Sequence, residues 1–187
     1  MKKLLIAIPI CALAWMGSAQ RTSVEAAAYS PSPSPSPSLS TSRSTGLYIP
    51  VVGIERTQLH DNFYEGRVGH IHDALDIMAA RGTPVIAAVD GTIRKLYTSR
   101  DGGRTIYEFD SAETRSYYYA HLDRYGSVAE GQQVHAGDVI GYVGSTGNAT
   151  TPHLHFGIAV LTPEKKWWKG EWVDPYPELE RNGVTKR

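Results

Sequence analysis

The sequence from about Tyr48 onward predicts an all-β domain, an antiparallel β-sandwich that is partly open and barrel-sandwich-like. Short β-prone runs are separated by glycine-containing turns, and no segment shows the apolar periodicity of a convincing amphipathic helix. A chain of 187 residues, 41% of them hydrophobic, can form one packed core of ordinary size. The candidate strands are 84–89, 92–97, 104–109, 116–122, 139–143 and 154–160.

Glycine-containing turns separate these strands. Asp90-Gly91 predicts a two-residue hairpin between the first two strands, and Asp101-Gly102-Gly103 predicts the next turn. Glycines recur through 131–144, where strands turn sharply or approach closely. This pattern also fits lipoyl- or biotinyl-carrier sandwiches, but a carrier needs a lysine at a hairpin tip, and the candidate tip at Ala136-Gly137 has none.

The N-terminal residues 1–19 are predicted to be a signal peptide. A positive start at Lys2 and Lys3 precedes an apolar run over 4–16, and small residues occupy 17–19. The apolar run is shorter than the roughly 20 residues that span a bilayer. We therefore expect export with cleavage before Gln20 and no stable membrane insertion afterwards.

Three further segments follow. Residues 20–46 are predicted to be a disordered Ser/Pro-rich linker, because the Ser-Pro alternation over 30–38 fixes φ and removes backbone donors. A spacer and a tolerated low-complexity stretch fit this segment equally well. Residues 47–180 form the expected folded domain, and 181–187 are expected to be a flexible C-terminal tail.

Composition limits the classes of function. Nineteen basic residues balance nineteen acidic ones, which argues against a nucleic-acid-binding protein that acts through bulk charge. The single cysteine excludes a zinc site built on thiolates. Seven histidines are present, so any metal would be held by imidazoles and carboxylates.

The first histidine pair is His153 and His155. Alternate residues of a strand share a face, so both imidazoles point one way while Leu154 and Phe156 point the other. An ordinary half-buried strand gives the same pattern as a metal or catalytic site.

His72 and Asp76 form the second candidate element. Four residues of an extended strand span roughly 13 Å, so the chain must turn between them if both bind one ion. A helical pair or two unrelated surface residues fit the spacing as well. His70 and His72 are separated by one residue, as His153 and His155 are, so His70 is an alternative to His72 as a ligand.

His121 is the third element. On a regular strand it shares a face with Tyr117 and Tyr119, where a histidine is either structural or catalytic. Spacing alone does not bring the three elements together.

Three segments in order resemble the lysostaphin-type (LytM-like) zinc endopeptidases that cut peptidoglycan. They are 72–76 (His-Asp-Ala-Leu-Asp) followed by 82–85 (Gly-Thr-Pro-Val), then 119–122 (Tyr-Ala-His-Leu), then 144–147 (Gly-Ser-Thr-Gly) with 153–156 (His-Leu-His-Phe). The resemblance covers roughly 47–160, and segment 131–144 matches that family's hairpin between the second and third motifs. Each motif is weak alone, whereas the ordered set is specific.

The resemblance implies a role for each matching residue. His72, Asp76 and His155 become the ligands of one Zn²⁺ per chain, which leaves a fourth coordination position open in a catalytic groove. His153 becomes the general base and His121 its partner, although which of them shuttles the proton stays open. The implied activity is hydrolysis of peptidoglycan peptides. Family members that lost ligands act instead as wall-binding proteins or activators, and the intact ligand set here favours the enzyme.

Two features fall outside this pattern. Family members commonly have glycine where this chain has Ala74, and alanine would be strained if the position needs a positive φ. Segment 164–172 carries three tryptophans, for which core closure is expected over a surface that stacks on sugars. A signal peptide with one small domain and no recognisable wall-binding module favours a Gram-negative periplasm over secretion or wall association.

Overall fold

The computed structural model describes residues 46–187 apart from residue 68, so the predicted signal peptide and nearly all of the predicted linker lie outside the described residues. The described part contains twelve β-strands and one short α-helix. The strands are β1 (Gly66–Arg67), β2 (His70–Ile71), β3 (Leu75–Met78), β4 (Pro84–Ile86), β5 (Gly91–Ser99), β6 (Gly103–Asp110), β7 (Arg115–Leu122), β8 (Arg124–Tyr125), β9 (Gln133–Val134), β10 (Val139–Tyr142), β11 (His153–Leu161) and β12 (Gly170–Val173), and the helix is α1 (Tyr176–Asn182).

Seven strands form the main sheet, in the order β12-β11-β7-β6-β5-β9, with β3 also paired to β11. Strands β3 and β12 share one edge of β11, β3 pairing with 153–156 and β12 with 158–161. A second sheet has the order β4-β10-β8, and β1 and β2 form a separate pair. The strand pairs are antiparallel and the sheets are not closed, so the predicted fold class is confirmed.

The core lies between the main sheet and the three-stranded sheet. Leu154 and Phe156 of β11 are fully buried, and they belong to one apolar cluster with Val85 of β4 and Ile140 of β10. Burial alternates over 153–156 of β11, as expected for a strand with one face on a core and one towards solvent, whereas 156–159 are all buried. Each candidate strand from the sequence corresponds to an observed strand, with ends that differ by up to three residues.

Two predicted hairpins are wrong. Asp90-Gly91 does not join paired strands, because β4 belongs to the three-stranded sheet and β5 to the main sheet. A Cβ at Gly91 would lie 2.3 Å from the Phe109 carbonyl oxygen, so glycine is needed there for close backbone approach. Likewise, β9 and β10 on either side of Ala136-Gly137 pair with different sheets. The predicted turn at 101–103 is correct, since β5 and β6 pair across it.

The expected flexible tail, 181–187, is also contradicted by the structure. Its first two residues end α1, and Val184 bridges Tyr48 in parallel. The Val184 carbonyl accepts a hydrogen bond from the Ile49 N–H at 2.9 Å, and the Lys186 carbonyl accepts one from the Gly53 N–H at 2.9 Å. The segment is thus paired with the chain over 48–53. Within the described residues, no helix is long and apolar enough to cross a membrane.

Candidate metal centre

Strand pairing brings His155 and Asp76 together. They are directly opposite each other on β11 and β3, a position that places Cβ atoms about 5 Å apart. His155 and His153 lie on the face of β11 away from the core, while Leu154 and Phe156 are buried on the other. The face sharing expected from the sequence is therefore present.

A turn of the chain brings His72 to the same place. Asp73 adopts a φ of 55°, a left-handed conformation that aspartate tolerates better than most residues, and the chain then enters β3. The His72 N–H donates to the Glu65 carbonyl at 3.0 Å, which holds the residue beside β1. Ala74 has no positive φ and is buried, so the strain considered for this alanine is not present.

Three donor atoms meet in a closed triangle. His72 Nε2, Asp76 Oδ1 and His155 Nδ1 are each 3.0 Å from the other two. A tetrahedral zinc ion with bonds of about 2.0 Å keeps its ligand atoms about 3.3 Å apart, close to this spacing. Among the described residues these three form a group able to hold a metal ion, and the competing His70 is not a member of it.

A backbone contact fixes one hydrogen of the His72 ring. Its Nδ1 lies 3.0 Å from the Asn62 carbonyl oxygen, which only accepts, so Nδ1 carries a hydrogen. When the ring is protonated, Nε2 donates to Asp76 Oδ1 at 3.0 Å, and when the ring is neutral, Nε2 has the lone pair that a metal ion needs. Such a contact on the outer nitrogen is usual for metal-binding histidines. The residues present fit a zinc ion.

Electrostatics within the triangle favour an ionised carboxylate. Burial alone would raise the pKa of Asp76, but hydrogen bonds from His155 and His72 hold that pKa far below its usual range. Burial lowers the pKa of His155. Burial also acts to lower the pKa of His72, but the bonds to Asp76 and Asn62 outweigh it and raise the pKa. Arg67 adds positive charge, with Nη2 2.9 Å from Asp76 Oδ2.

His121 reaches the same groove through a break in its strand. The pairing of β6 with β7 shifts register between Arg104 and Ile106, and His121 has a φ of 60°. This bulge turns His121 away from Tyr117 and Tyr119, which contact Phe156 in the core. The expectation that His121 shares their face is therefore wrong. Its ring centroid lies 4.9 Å from that of His153 and 5.5 Å from that of His155.

His121 and His153 are anchored in the same way. His121 Nδ1 lies 2.8 Å from the Thr146 carbonyl oxygen, and His153 Nδ1 lies 2.8 Å from that of Thr151. Each Nδ1 must carry the hydrogen, which leaves each Nε2 with a lone pair that can accept a proton. His153 Nε2 is 3.5 Å from Asp76 Oδ1. Burial lowers the pKa of His121 to about 4, so this ring is neutral at neutral pH.

Two loops that touch each other hold His121 in place. Its N–H donates to the Gly102 carbonyl at 2.8 Å, while its ring is held by the loop 144–147. Gly147 has a φ of 78°, and a Cβ there would lie 2.2 Å from the Asp101 carbonyl oxygen. The last glycine of the Gly-Ser-Thr-Gly segment is therefore required by close backbone approach beside the site.

The cluster lies in an open groove with two adjoining parts of 410 and 510 Å³. Residues that line both parts are His70, His72, His121, Asn148 and His155. Sequence reasoning did not identify Asn62, Arg67 or Tyr118, each of which contacts a predicted ligand. Nothing in their spacing marks Asn62 or Arg67. Tyr118 could have been found from the alternation over 117–119, because it must face away from its two neighbours.

Comparison with known proteins gives consistent matches. The family model described as Peptidase family M23 matches residues 70–175. The DD-carboxypeptidase/endopeptidase Mpg of Neisseria meningitidis serogroup B is 44% identical over 110 residues, which cover 50% of this chain and 24% of that protein. The chain therefore matches only about a quarter of that curated relative's length.

Solved structures match over more of the chain. The catalytic domain of the antimicrobial peptidase lysostaphin from Staphylococcus simulans is 31% identical, with a TM-score of 0.53, covering 73% of this chain and 90% of that one. A zinc-containing peptidase from Vibrio cholerae is 25% identical, with a TM-score of 0.55, covering 72% of this chain and 40% of that one.

Proposed function

The chain belongs to peptidase family M23, and from that premise we propose an exported zinc metalloendopeptidase that hydrolyses peptide bonds in peptidoglycan stem peptides or cross-links. Membership of the family confirms the resemblance drawn from the three motifs. The activity, the metal, the residue roles and the location are proposals.

The observation that carries the proposal is the triangle of His72, Asp76 and His155. We assign these three residues as the ligands of one zinc ion per chain, because their donor atoms are spaced for one tetrahedral ion. When bound, zinc supplies a Lewis acid that polarises a carbonyl and lowers the pKa of water. The zinc-containing relative from Vibrio cholerae supports the choice of metal.

His153 is the proposed general base. Its Nδ1 is held by a backbone carbonyl, so Nε2 is the atom that takes the proton and later returns it to the leaving amine. His121 is its proposed partner. Because burial holds the pKa of His121 near 4, its Nε2 is suited to accept a hydrogen bond and orient the attacking water. A ring with so low a pKa is a weak base at neutral pH, which supports His153 over His121 as the base.

The substrate class follows from the groove and the relatives. The donor cluster lies in an open groove, which admits a segment of a polymer. The relative Mpg is named a DD-carboxypeptidase/endopeptidase, and lysostaphin is described as an antimicrobial peptidase. We extend to this chain an activity on wall peptides. Export to the periplasm, cleavage of the signal peptide and the absence of a nucleic-acid partner remain part of the proposal.

The proposal is tested with the purified protein and isolated peptidoglycan sacculi. We expect one zinc per chain by elemental analysis, and release of soluble peptide fragments that stops with a chelator and resumes when zinc is restored. Mass spectrometry of the fragments identifies the bond. Cleavage that survives complete removal of metal would contradict the zinc mechanism. A zinc-loaded protein that never cuts sacculi would instead indicate a non-catalytic wall-binding protein or an activator of another hydrolase.

A further inference from the structure

A continuous group of aromatic rings extends from the metal centre across the main sheet. We call it the aromatic surface, and its members are Tyr97, Tyr107, Tyr118, Trp167, Trp168 and Trp172.

Strand register puts the first rings on the groove face. Tyr118 is opposite Gly157 on β11, two residues beyond His155 and on the same face. Its ring centroid is 5.9 Å from that of His155 and 5.9 Å from that of Trp172. Tyr107 is the cross-strand partner of Tyr118 on β6, with centroids 4.7 Å apart. The aromatic surface therefore begins at a proposed metal ligand.

The segment between β11 and β12 adds the outer rings. Trp167 lies 4.8 Å from Tyr107 and 5.3 Å from Tyr97, centroid to centroid. Trp168 follows at 5.1 Å from Trp167. The segment thus bends back over β5 and β6 and continues the row of rings away from the metal centre.

Gly157 shows that the sheet accommodates one of these rings directly. A Cβ built at Gly157 would lie 2.8 Å from Trp172 Cζ3, too close for any side chain without displacement of the indole. The indole of Trp172 therefore packs on bare backbone between the metal centre and the outer edge of the sheet. Its position is determined by the fold rather than by chance contacts at the surface.

These rings do not close the core, which is the role that the sequence favoured for the tryptophans. Trp168 is 61% exposed, Tyr97 44% and Trp172 40%. Clustered exposed rings next to a binding groove indicate a ligand contact, because apolar area left in water is unfavourable.

Charge near the aromatic surface indicates a neutral ligand. Lys165 is paired with Glu113 and Lys169 with Glu164, each at 3.1 Å. Lys166 Nζ lies 5.7 Å from the centre of the Trp168 ring. Since two of the three lysines are paired with carboxylates, little positive charge is left to attract an anionic lipid surface.

We propose that the aromatic surface binds the pyranose rings of N-acetylated amino sugars in the glycan strand, while the attached peptide lies over the metal centre. A pyranose presents apolar C–H groups on its faces and neutral polar groups on its edges, which matches flat exposed rings without net charge. The choice of N-acetylated amino sugars and the link to peptide cleavage rest on the proposed function, whereas the exposed, uncharged aromatic surface does not.

The first test measures binding of a soluble tetramer of β-1,4-linked N-acetylglucosamine to the zinc-loaded protein by calorimetry. We expect binding by the wild type and an affinity about three- to tenfold lower for Trp168→Ala, the scale of one aromatic contact. Tyr142→Ala is the matched control, since Tyr142 lies on the three-stranded sheet and stacks with Arg124. Absence of binding by the wild type, or equal binding by Trp168→Ala, overturns the proposal.

The second test compares cleavage of intact sacculi with cleavage of the same wall peptide freed from its glycan. We expect the ratio of the two rates to fall about three- to tenfold in Trp168→Ala and to stay constant in Tyr142→Ala. An unchanged ratio in Trp168→Ala overturns the link between sugar binding and cleavage.

A protein that binds the tetramer but cuts neither substrate contradicts the proposed function and still supports the sugar-binding site. Binding to phosphatidylglycerol vesicles, lost in Trp168→Ala without any tetramer binding, identifies a membrane contact and also overturns the proposal.

Discussion

The two faces of the main sheet are built from neighbouring residues of the same strands, yet they differ in burial and in the polarity of their contacts. On β11, the groove-facing His153 and His155 contact polar atoms, while Leu154 and Phe156 are fully buried in the apolar cluster. On β7, Tyr118 contacts His155, while Tyr119 packs against Phe156. Strand alternation therefore separates the residues that we propose for chemistry from those of the core, and adjacent positions serve as matched controls.

Removal of a proposed zinc ligand on the groove face should have the largest effect. His155→Ala deletes one corner of the donor triangle, and we expect loss of both zinc and cleavage of sacculi. Elemental analysis and fragment release measure the two losses. The metal-free variant should unfold at nearly the temperature of the metal-free wild type, because Asp76 keeps its contacts with His72 and Arg67. Full activity in this variant would contradict the ligand assignment.

The second prediction concerns the neighbouring histidine on the same face. His153→Ala should keep zinc, since its nitrogens are not in the donor triangle, while turnover falls by roughly 10²-fold or more, the scale of a general base. Zinc content and the rate of fragment release are measured on the same sample. Loss of zinc together with activity would indicate that His153 is a zinc ligand rather than only the general base.

The third prediction moves one residue along β11, to the core face. Leu154→Ala should lower the free energy of unfolding by about 2–5 kcal/mol, because the fully buried side chain leaves a cavity. Denaturant unfolding measures this loss, and zinc content should be retained in the folded fraction. A loss of zinc without a loss of stability would show that the two faces are not separable.

The fourth prediction concerns Glu108, an ionisable residue on the core face. It is fully buried, Oε2 accepts a hydrogen bond from the Tyr119 hydroxyl at 2.5 Å, and Oε1 has no partner among the described residues. Burial raises the pKa of Glu108 from 4.5 to about 8. The folded protein therefore holds this proton more tightly than the unfolded chain does, and stability should fall as pH rises from 4.5 to about 8.

Glu108→Gln should flatten that decline, because the amide does not titrate. Thermal unfolding across this pH range measures the difference between the variant and the wild type. The exposed Glu180→Gln is the control and should leave the slope unchanged. A wild type whose Glu108-dependent slope is zero would show that the carboxyl group is hydrated or ionised in the folded protein.

The smallest effect is expected at His70. This residue lines the groove but lies outside the donor group, so His70→Ala should keep one zinc per chain. Elemental analysis beside His72→Ala decides between the two histidines, since only the latter should lose the metal. Loss of zinc in His70→Ala but not in His72→Ala would make His70 the ligand and His72 a residue that only lines the groove.

The sequence allowed the fold class and the strands to be predicted, because glycine turns and β-prone runs are local signals. It also placed His153 and His155 on one face, since alternation on a strand needs no tertiary information. The prediction that His72 and Asp76 lie beside His155 came only from the family resemblance. Local patterns could not give it, because the pairing of β3 with β11 joins residues nearly 80 positions apart.

The wrong predictions share a physical cause. Asp90-Gly91 has the composition of a hairpin turn, but which sheet each flanking strand joins is decided by packing far away in sequence. His121 faces the groove because a bulge breaks the alternation that assigned it to the opposite face. The tail pairs with 48–53, a contact between opposite ends of the domain that no local pattern indicates. Long-range pairing and strand irregularity thus limited the sequence reasoning.

The contact between the loops at 101–103 and 144–147 has a consequence for the evolution of the groove. A Cβ at Gly147 would clash with the Asp101 carbonyl, and a Cβ at Gly103 would clash with Thr146, so a side chain at either glycine would displace the loop that holds His121. Under the proposed function, adaptation to a different wall peptide is therefore expected elsewhere around the groove. The segment 162–169 is the candidate, since its exposed residues can be exchanged while His121 and His153 keep their geometry.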